Sequence, residues 1–439
     1  MLDRLAERRR RRSFRRIVVD TPDASPDDRR QLAQVPVLNV LPTPPRPDFG
    51  GVQIQLLQRL AAEAAERPQA LLYPYAGSYR LEIEDSGQRL AVELHAAPPA
   101  FDQLEDSVFE WAVRRAVERV GAELVHFESL LGWPLASVAR LQRSGLRLVL
   151  GVHDFGLFCL RPHLLERPAM QFCDYSRDAV RCARCLGYDW QVGDSFQATR
   201  RARASELLCQ SEAAIFPSEF LRRTYRELMP GADEARLHVV APALTPRETL
   251  PGSSGNRRPI RHIAAVGSVK PLKGGLLLEE LLRRFPRKRH PLLRFSVYGG
   301  GDAEILQRLR RLPEVRVRGY YRAGSLPATL QADAVDLAVL PSIVPESYSL
   351  TLDECLLAGV PVLAFDHGAI GERLRRLGGG ELVDPASGVE GLVSGLRRML
   401  EQGPPEPAPI ELPDATDAGH AMREIYAGIL ARGSAGSSD

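Results

Sequence analysis

The chain has 439 residues, 44% of them hydrophobic and 26% charged, with 58 Lys+Arg against 55 Asp+Glu and a net charge of +3. That is enough apolar material for sizeable cores, which excludes a disordered or fibrous protein, and the length predicts two domains. The near-even charge excludes nucleic acid as a partner, no run approaches the ~18 apolar residues of a membrane span, and the N-terminus has no signal-peptide core, so a soluble, cytoplasmic protein is expected.

Residues 1–34 read as an Arg-rich tail, with arginine at every position from 8 to 12. Such a run is either a solvated tail or a peripheral foothold on the anionic inner face of a membrane, worth ~1 kcal/mol per basic residue near the surface. From residue 35 the pattern becomes strand, glycine turn, helix. Strands are predicted over 35–41, 123–127, 147–152 and 213–216, and helices over 52–64, 108–120 and 134–143. Ser218 is placed to cap a helix over 219–228. This alternation predicts a parallel sheet with helices on both faces. Residues 251–256 have linker composition. Beyond them strands are expected at 262–266, 293–298, 315–317, 337–340 and 360–365, with helices at 275–285, 303–311, 328–331 and 351–358. A proline-rich stretch then precedes a last helix over 418–427. The predicted class is α/β: two Rossmann-like domains, 35–250 and 257–405, facing across a cleft, followed by a terminal helical segment over 410–430.

The richest stretch is Pro345-Glu346-Ser347-Tyr348-Ser349, which runs into Thr351-Leu352-Asp353-Glu354. A strand ends before it and a helix begins near Ser349, and helix N-termini after parallel strands are where such sheets bind phosphate. Glu346 before the helix and Glu354 inside it bracket that anion site. The inner carboxylate can accept from a ribose diol and the outer one from sugar hydroxyls, so a nucleotide sugar fits the site from end to end. Only three basic residues are lysine, at 270, 273 and 288. In a chain so biased to arginine, Lys270 and Lys273 in one glycine-bearing loop are informative.

The Glu346-to-Glu354 spacing resembles the E-x7-E motif of glycosyltransferase family 4, retaining enzymes of the GT-B fold. The surrounding words resemble that family too: Ala358-Gly359-Val360-Pro361-Val362 and Gly368-Ala369-Ile370-Gly371-Glu372-Arg373. The resemblance covers nearly the whole chain beyond the tail. It implies that Gly267 and Lys273, with Ser347, Tyr348 and Ser349, hold the donor diphosphate, and that Glu346 is catalytic. It places the base near Tyr320 and Tyr321, beyond the Gly299-Gly300-Gly301 turn. Ser268 stands where the family carries an arginine, and Lys270 is the nearby substitute. Gly50 and Gly51 match the paired glycines of the first domain's loop, which approaches the donor. His153 and Asp154, at a strand end facing the cleft, are implied catalytic residues, and His126 a supporting one. The last helix is implied to cross back onto the first domain.

Cys159, Cys173, Cys182 and Cys185 follow that strand. One C-x-x-C with two further cysteines can make a four-thiolate structural zinc site; reduced, unliganded thiols are the plainer reading, and an iron–sulfur cluster or disulfides a third. Cys159-Leu160-Arg161-Pro162 resembles the opening of a cysteine-bearing branch of the family. Cys209 and Cys355 read as core. The expected activity is a retaining, metal-independent transfer of sugar from a nucleoside diphosphate to a glycan or lipid-linked saccharide, with no cofactor required for catalysis. The alternatives are a sugar phosphorylase on the same fold, or a non-catalytic nucleotide-sugar-binding subunit.

Overall fold

The computed structural model describes residues 16–20, 34–45, 51–63, 67–85, 88–243, 259–322, 324–405, 412 and 415–435. The arginine run at 8–12, Gly50 and the linker at 251–256 lie outside them. The first sheet takes β1 (Arg16–Asp20), β2 (Val37–Val40), β3 (Gln69–Tyr75), β4 (Ser78–Asp85), β5 (Gln88–Leu94), β6 (Leu124–Phe127) and β7 (Arg147–Gly151). A hairpin, β8 (Leu165–Glu166) and β9 (Gln171–Phe172), stands apart; β10 (Ala213–Phe216) and β11 (Leu237–Val239) complete the sheet in the order β1-β5-β4-β3-β2-β6-β7-β10-β11. β2, β6 and β10 are buried at every residue and pair in parallel, as short apolar runs between helical layers must. β3, β4 and β5 instead form an antiparallel meander, with Leu72 opposite Leu81 and Leu81 opposite Val92.

Among the described residues this half has six helices: α1 (Gly51–Glu63), α2 (Ser107–Val120), α3 (Leu135–Arg143), α4 (Ala179–Leu186), α5 (Phe196–Gln210) and α6 (Glu219–Leu228). Local chemistry sets their ends. Asp106 accepts from the Phe109 N–H at 2.7 Å to open α2, and Gly121 closes it at φ 58.

The second sheet is parallel throughout: β12 (His262–Val266), β13 (Arg294–Tyr298), β14 (Val315–Gly319), β15 (Leu337–Leu340), β16 (Val362–Phe365) and β17 (Gly380–Val383), in the order β14-β13-β12-β15-β16-β17. Its helices are α7 (Gly275–Arg283), α8 (Ala303–Arg310), α9 (Leu326–Ala332), α10 (Leu350–Leu357), α11 (Gly368–Leu377) and α12 (Gly388–Gln402). The strand order reverses between β12 and β15, which opens a crevice at their carboxyl ends. The last helix, α13 (Ala415–Ala435), returns to the first sheet. There Met422, Tyr426 and Ile429 bury against Val37, Leu124, Val149, Ala213 and Ile215, each contributing roughly 1.5–3 kcal/mol. Among the described residues, no helix is long and apolar enough to cross a membrane.

Candidate active site

The crevice at β12 and β15 holds the predicted residues of the second half. Beyond β12, Pro271–Lys273 makes one turn of 3-10 helix. That turn docks on the end of β15, where the Ile343 N–H and the Ser342 hydroxyl both donate to the Leu272 carbonyl, at 3.1 and 3.3 Å. Gly274 follows at φ 72, and a Cβ there would stand 1.8 Å from the Pro341 carbonyl oxygen, so only glycine lets the turn seat. Lys273 is fixed by this seating, and its ammonium pairs with Glu346 Oε2 at 2.8 Å.

Glu346 is fixed from the other side. Its carbonyl accepts from the Ala369 N–H at 2.8 Å, at the start of α11. Gly368, at φ 63, passes so close that a Cβ would lie 2.6 Å from the Glu346 nitrogen. Ser349 caps α10: it adopts φ 84, and its hydroxyl oxygen accepts from the Leu352 N–H at 3.3 Å. The Arg373 guanidinium, paired with buried Asp353, lies 4.1 Å from the centre of the Tyr348 ring. The glycine-rich run at 368–373 thus positions the loop that carries Glu346, Ser347, Tyr348 and Ser349.

Glu354 is 5% exposed. It accepts from the Gly324 N–H and the Tyr321 hydroxyl, and burial pushes its carboxyl up to about 7. Gly267 ends β12 against the first turn of α10, 3.3 Å from Thr351 Oγ1 measured from where a Cβ would be. Tyr321 packs beside the cluster that includes Leu326, Leu352 and Cys355. Tyr320, 88% exposed, lies over Gly300 and presents its ring to the crevice.

In the first half, His153 and Asp154 follow β7 at its carboxyl end, as expected, but they face different ways. His153 lines a cavity of about 60 Å³ with Arg59, His126, Glu128 and Met422 among its walls. Burial takes the imidazole down to about 4, and its ring is hydrogen-bonded to the backbone of Glu128. The Asp154 carboxylate accepts from the Gly156 N–H at 2.6 Å and so shapes its own turn, while burial raises it to about 6. His126 stands behind His153 in the wall of the same cavity. It is buried beneath the sheet's end, where its Nδ1 lies 2.6 Å from the Tyr426 hydroxyl of α13. Gly51 begins α1.

One residue was missed. His163, between β7 and β8, faces Lys270, Lys273 and Glu346 across the cleft; desolvation and the two ammonium groups hold its imidazole below the ordinary range. The sequence signal for it was only its place shortly after the His153-Asp154 strand end.

The four cysteines offered for zinc lie near enough to act on one another: Cys173 raises the thiol of Cys159, and Cys182 and Cys185 raise that of Cys173. Among the described residues, no group of three or more His, Cys, Asp or Glu side chains could hold a metal ion. Three of these sulfurs also have hydrogen-bond partners in the surrounding turns. Cys159 Sγ accepts from the Arg161 N–H at 3.4 Å, Cys185 Sγ from the Arg167 N–H at 3.3 Å, and the Cys182 thiol donates to the Ser176 carbonyl at 3.6 Å. Burial pushes the Cys159 thiol up to about 11 and raises that of Cys173 as well. Cys355 is buried, as a core residue should be, and Cys209 is half-buried.

With this geometry in place, comparison with known proteins places the chain. Residues 260–402 match the family described as "Glycosyl transferases group 1", and residues 50–243 match the "Glycosyl transferase 4-like domain". A D-inositol 3-phosphate glycosyltransferase of Rhodococcus erythropolis is 28% identical over 227 residues, which is 46% of this chain and 51% of that protein. The chain therefore spans about half the length of this curated relative in the match. Among solved structures, sucrose-phosphate synthase from Thermosynechococcus elongatus superposes with a TM-score of 0.58 at 18% identity, over 91% of this chain and 95% of the other. The Anabaena protein HepE, solved with UDP and glucose, gives 0.54 at 15% identity, over 92% and 99%. These likenesses are to the fold.

Proposed function

The chain belongs to the group 1 glycosyl transferases and has their GT-B fold, and from that premise we propose that it carries out a retaining transfer of a sugar from a nucleoside diphosphate to a glycan or lipid-linked saccharide. The observation that carries this reading is the Lys273–Glu346 pair at 2.8 Å, set beside Glu354 at the strand-order reversal. A diphosphate gives Lys273 a stronger partner than one carboxylate, and its arrival frees Glu346 to accept from hydroxyls of the transferred sugar. The Lys273 ammonium and the N–H groups at the start of α10 then meet the charge that develops on the leaving diphosphate. Glu354 accepts from the ribose diol.

The sequence has no Asp-x-Asp pair, so we assign the leaving group's neutralisation to Lys273 and the helix rather than to a divalent ion. Glu346 steadies positive charge at the anomeric carbon. The acceptor oxygen attacks from the face the diphosphate leaves, and the departing phosphate oxygen takes the acceptor's proton. HepE was solved with UDP and glucose, so UDP is the first probe. Calorimetry with UDP, GDP, ADP and dTDP identifies the base, and release of that nucleotide from its sugar donors, with and without EDTA, tests the reaction. Binding of none of the four refutes the reading.

A further inference from the structure

The two halves meet beside the loop that carries Glu346. Helix α6 belongs to the first half and opens with Ser218 at its cap; the Ser218 oxygen accepts from the Leu221 N–H at 3.1 Å. The same hydroxyl donates its proton outward, to the carbonyl oxygen of Ser347, at 2.6 Å. Two residues on, the Phe220 N–H donates to Glu372 Oε1 at 2.9 Å, and the Arg223 guanidinium pairs with the other oxygen of Glu372. A carboxylate at the first turn of a helix also meets the positive end of its dipole. Ser218 is buried, at 5% exposure.

Both second-half partners are tied to Glu346. Ser347 is its chain neighbour. Glu372 lies on α11, one turn beyond the Ala369 N–H that holds the Glu346 carbonyl. Arg373, next on the same helix, clamps Tyr348. The side chain of Glu346 itself is only half committed, since its partner Lys273 is wanted by the diphosphate. The backbone that aims it is therefore held by α11 and by the opening turn of α6.

We infer that Ser218 and Glu372 are positioning residues for the transfer: by joining the first turn of α6 to the Glu346 loop and to α11, they set Glu346 in register with the acceptor side of the cleft. This rests on the glycosyl-transfer reading above for its kinetic consequences but not for its geometry. Ser218 reaches the loop through the Ser347 carbonyl, and Glu372 reaches α6 through the Phe220 N–H and Arg223. Their loss misplaces Glu346 by a fraction of an ångström while leaving the nucleotide's own contacts in place, and a displacement of ~1 Å at a reacting group can cost ~100-fold in rate.

The test uses the full chain with Ser218→Asp, Ser218→Thr and Glu372→Gln. Ser218→Asp keeps an oxygen to cap α6 but has no proton for the Ser347 carbonyl; Ser218→Thr keeps both. The expected result is a kcat roughly 10- to 100-fold lower in Ser218→Asp and Glu372→Gln, with free-nucleotide affinity within about twofold of wild type and Ser218→Thr near wild type. Wild-type kcat in Ser218→Asp and Glu372→Gln overturns the inference. So does a nucleotide affinity that falls in step with kcat, since that marks collapse of the whole donor site. Hydrogen exchange at the amides of residues 346–350 reads the same clasp with no sugar present. Faster exchange in both variants supports the clasp even if wild type transfers nothing, in which case only the activity reading falls. Unchanged exchange overturns the clasp whatever the enzyme does.

Discussion

Replacing Glu354 by glutamine removes an ionisable group that is 5% exposed and whose two hydrogen-bond donors, the Tyr321 hydroxyl and the Gly324 N–H, are uncharged. Its carboxyl titrates at about 7 in the fold against an ordinary value of 4.5. Below pH 4.5 both folded and unfolded chains hold the proton, so Glu354 makes no demand. As pH rises from 4.5 to 7, the unfolded chain releases the proton while the fold keeps it, and stability is lost until the folded group also ionises. At 1.36 kcal/mol per pH decade that interval amounts to roughly 3 kcal/mol. Glutamine fills the same space without the penalty. Glu354→Gln should therefore match wild type in urea unfolding at pH 4.5 and exceed it by roughly 3 kcal/mol at pH 8. Nucleotide binding should show the opposite face of the same group. A diol donates to the ionised carboxylate, so wild-type affinity should strengthen from pH 6 to 8 with proton release, and Glu354→Gln should bind ~10- to 100-fold more weakly at pH 8 with a flat pH profile. A stability difference that stays constant from pH 4.5 to 8 refutes the argument.

The remaining predictions are more local. Glu346→Ala should abolish transfer yet leave free-nucleotide affinity equal or up to about fivefold tighter by calorimetry, because a half-exposed ion pair worth at most ~1 kcal/mol no longer competes for Lys273. Tyr426→Phe removes the hydroxyl beside His126 Nδ1 and should cost about 1–3 kcal/mol in urea unfolding; no change would mean that the Glu128 carboxylate, 3.2 Å from the same nitrogen, suffices for it. Protein purified without added metal should contain well under one zinc per chain, and all six thiols should react with a thiol reagent once it is unfolded. One tightly held zinc would restore the four-thiolate site.

What could be read from the sequence follows the range of each interaction. The parallel strands were visible because burial on both faces forces uninterrupted apolar runs such as Leu337–Leu340, here set off by Asp336 and Pro341. The antiparallel meander was passed over, although the Ala76-Gly77 turn between β3 and β4 carries a hairpin signal. Lys273, Glu346 and Glu354 were legible because one loop and one loop-helix unit bring each to the crevice. The contacts of Ser218 with Ser347, Phe220 with Glu372 and His126 with Tyr426 span 129, 152 and 300 residues. No local pattern encodes these pairings, since each depends on how the two halves and the last helix come to rest.

The return of α13 also bears on synthesis. The apolar face made by Val37, Leu124, Val149, Ala213 and Ile215 receives Met422, Tyr426 and Ile429 from the far end of the chain. On a ribosome, that face emerges long before its cover. The second sheet must be translated in the interval, which at ~5–20 residues per second lasts on the order of 10–40 s. The second sheet can complete its own strand pairings during this wait, whereas the first cannot finish. The nascent chain thus carries an uncovered apolar surface, a natural holding site for a chaperone, until its last helix leaves the exit tunnel.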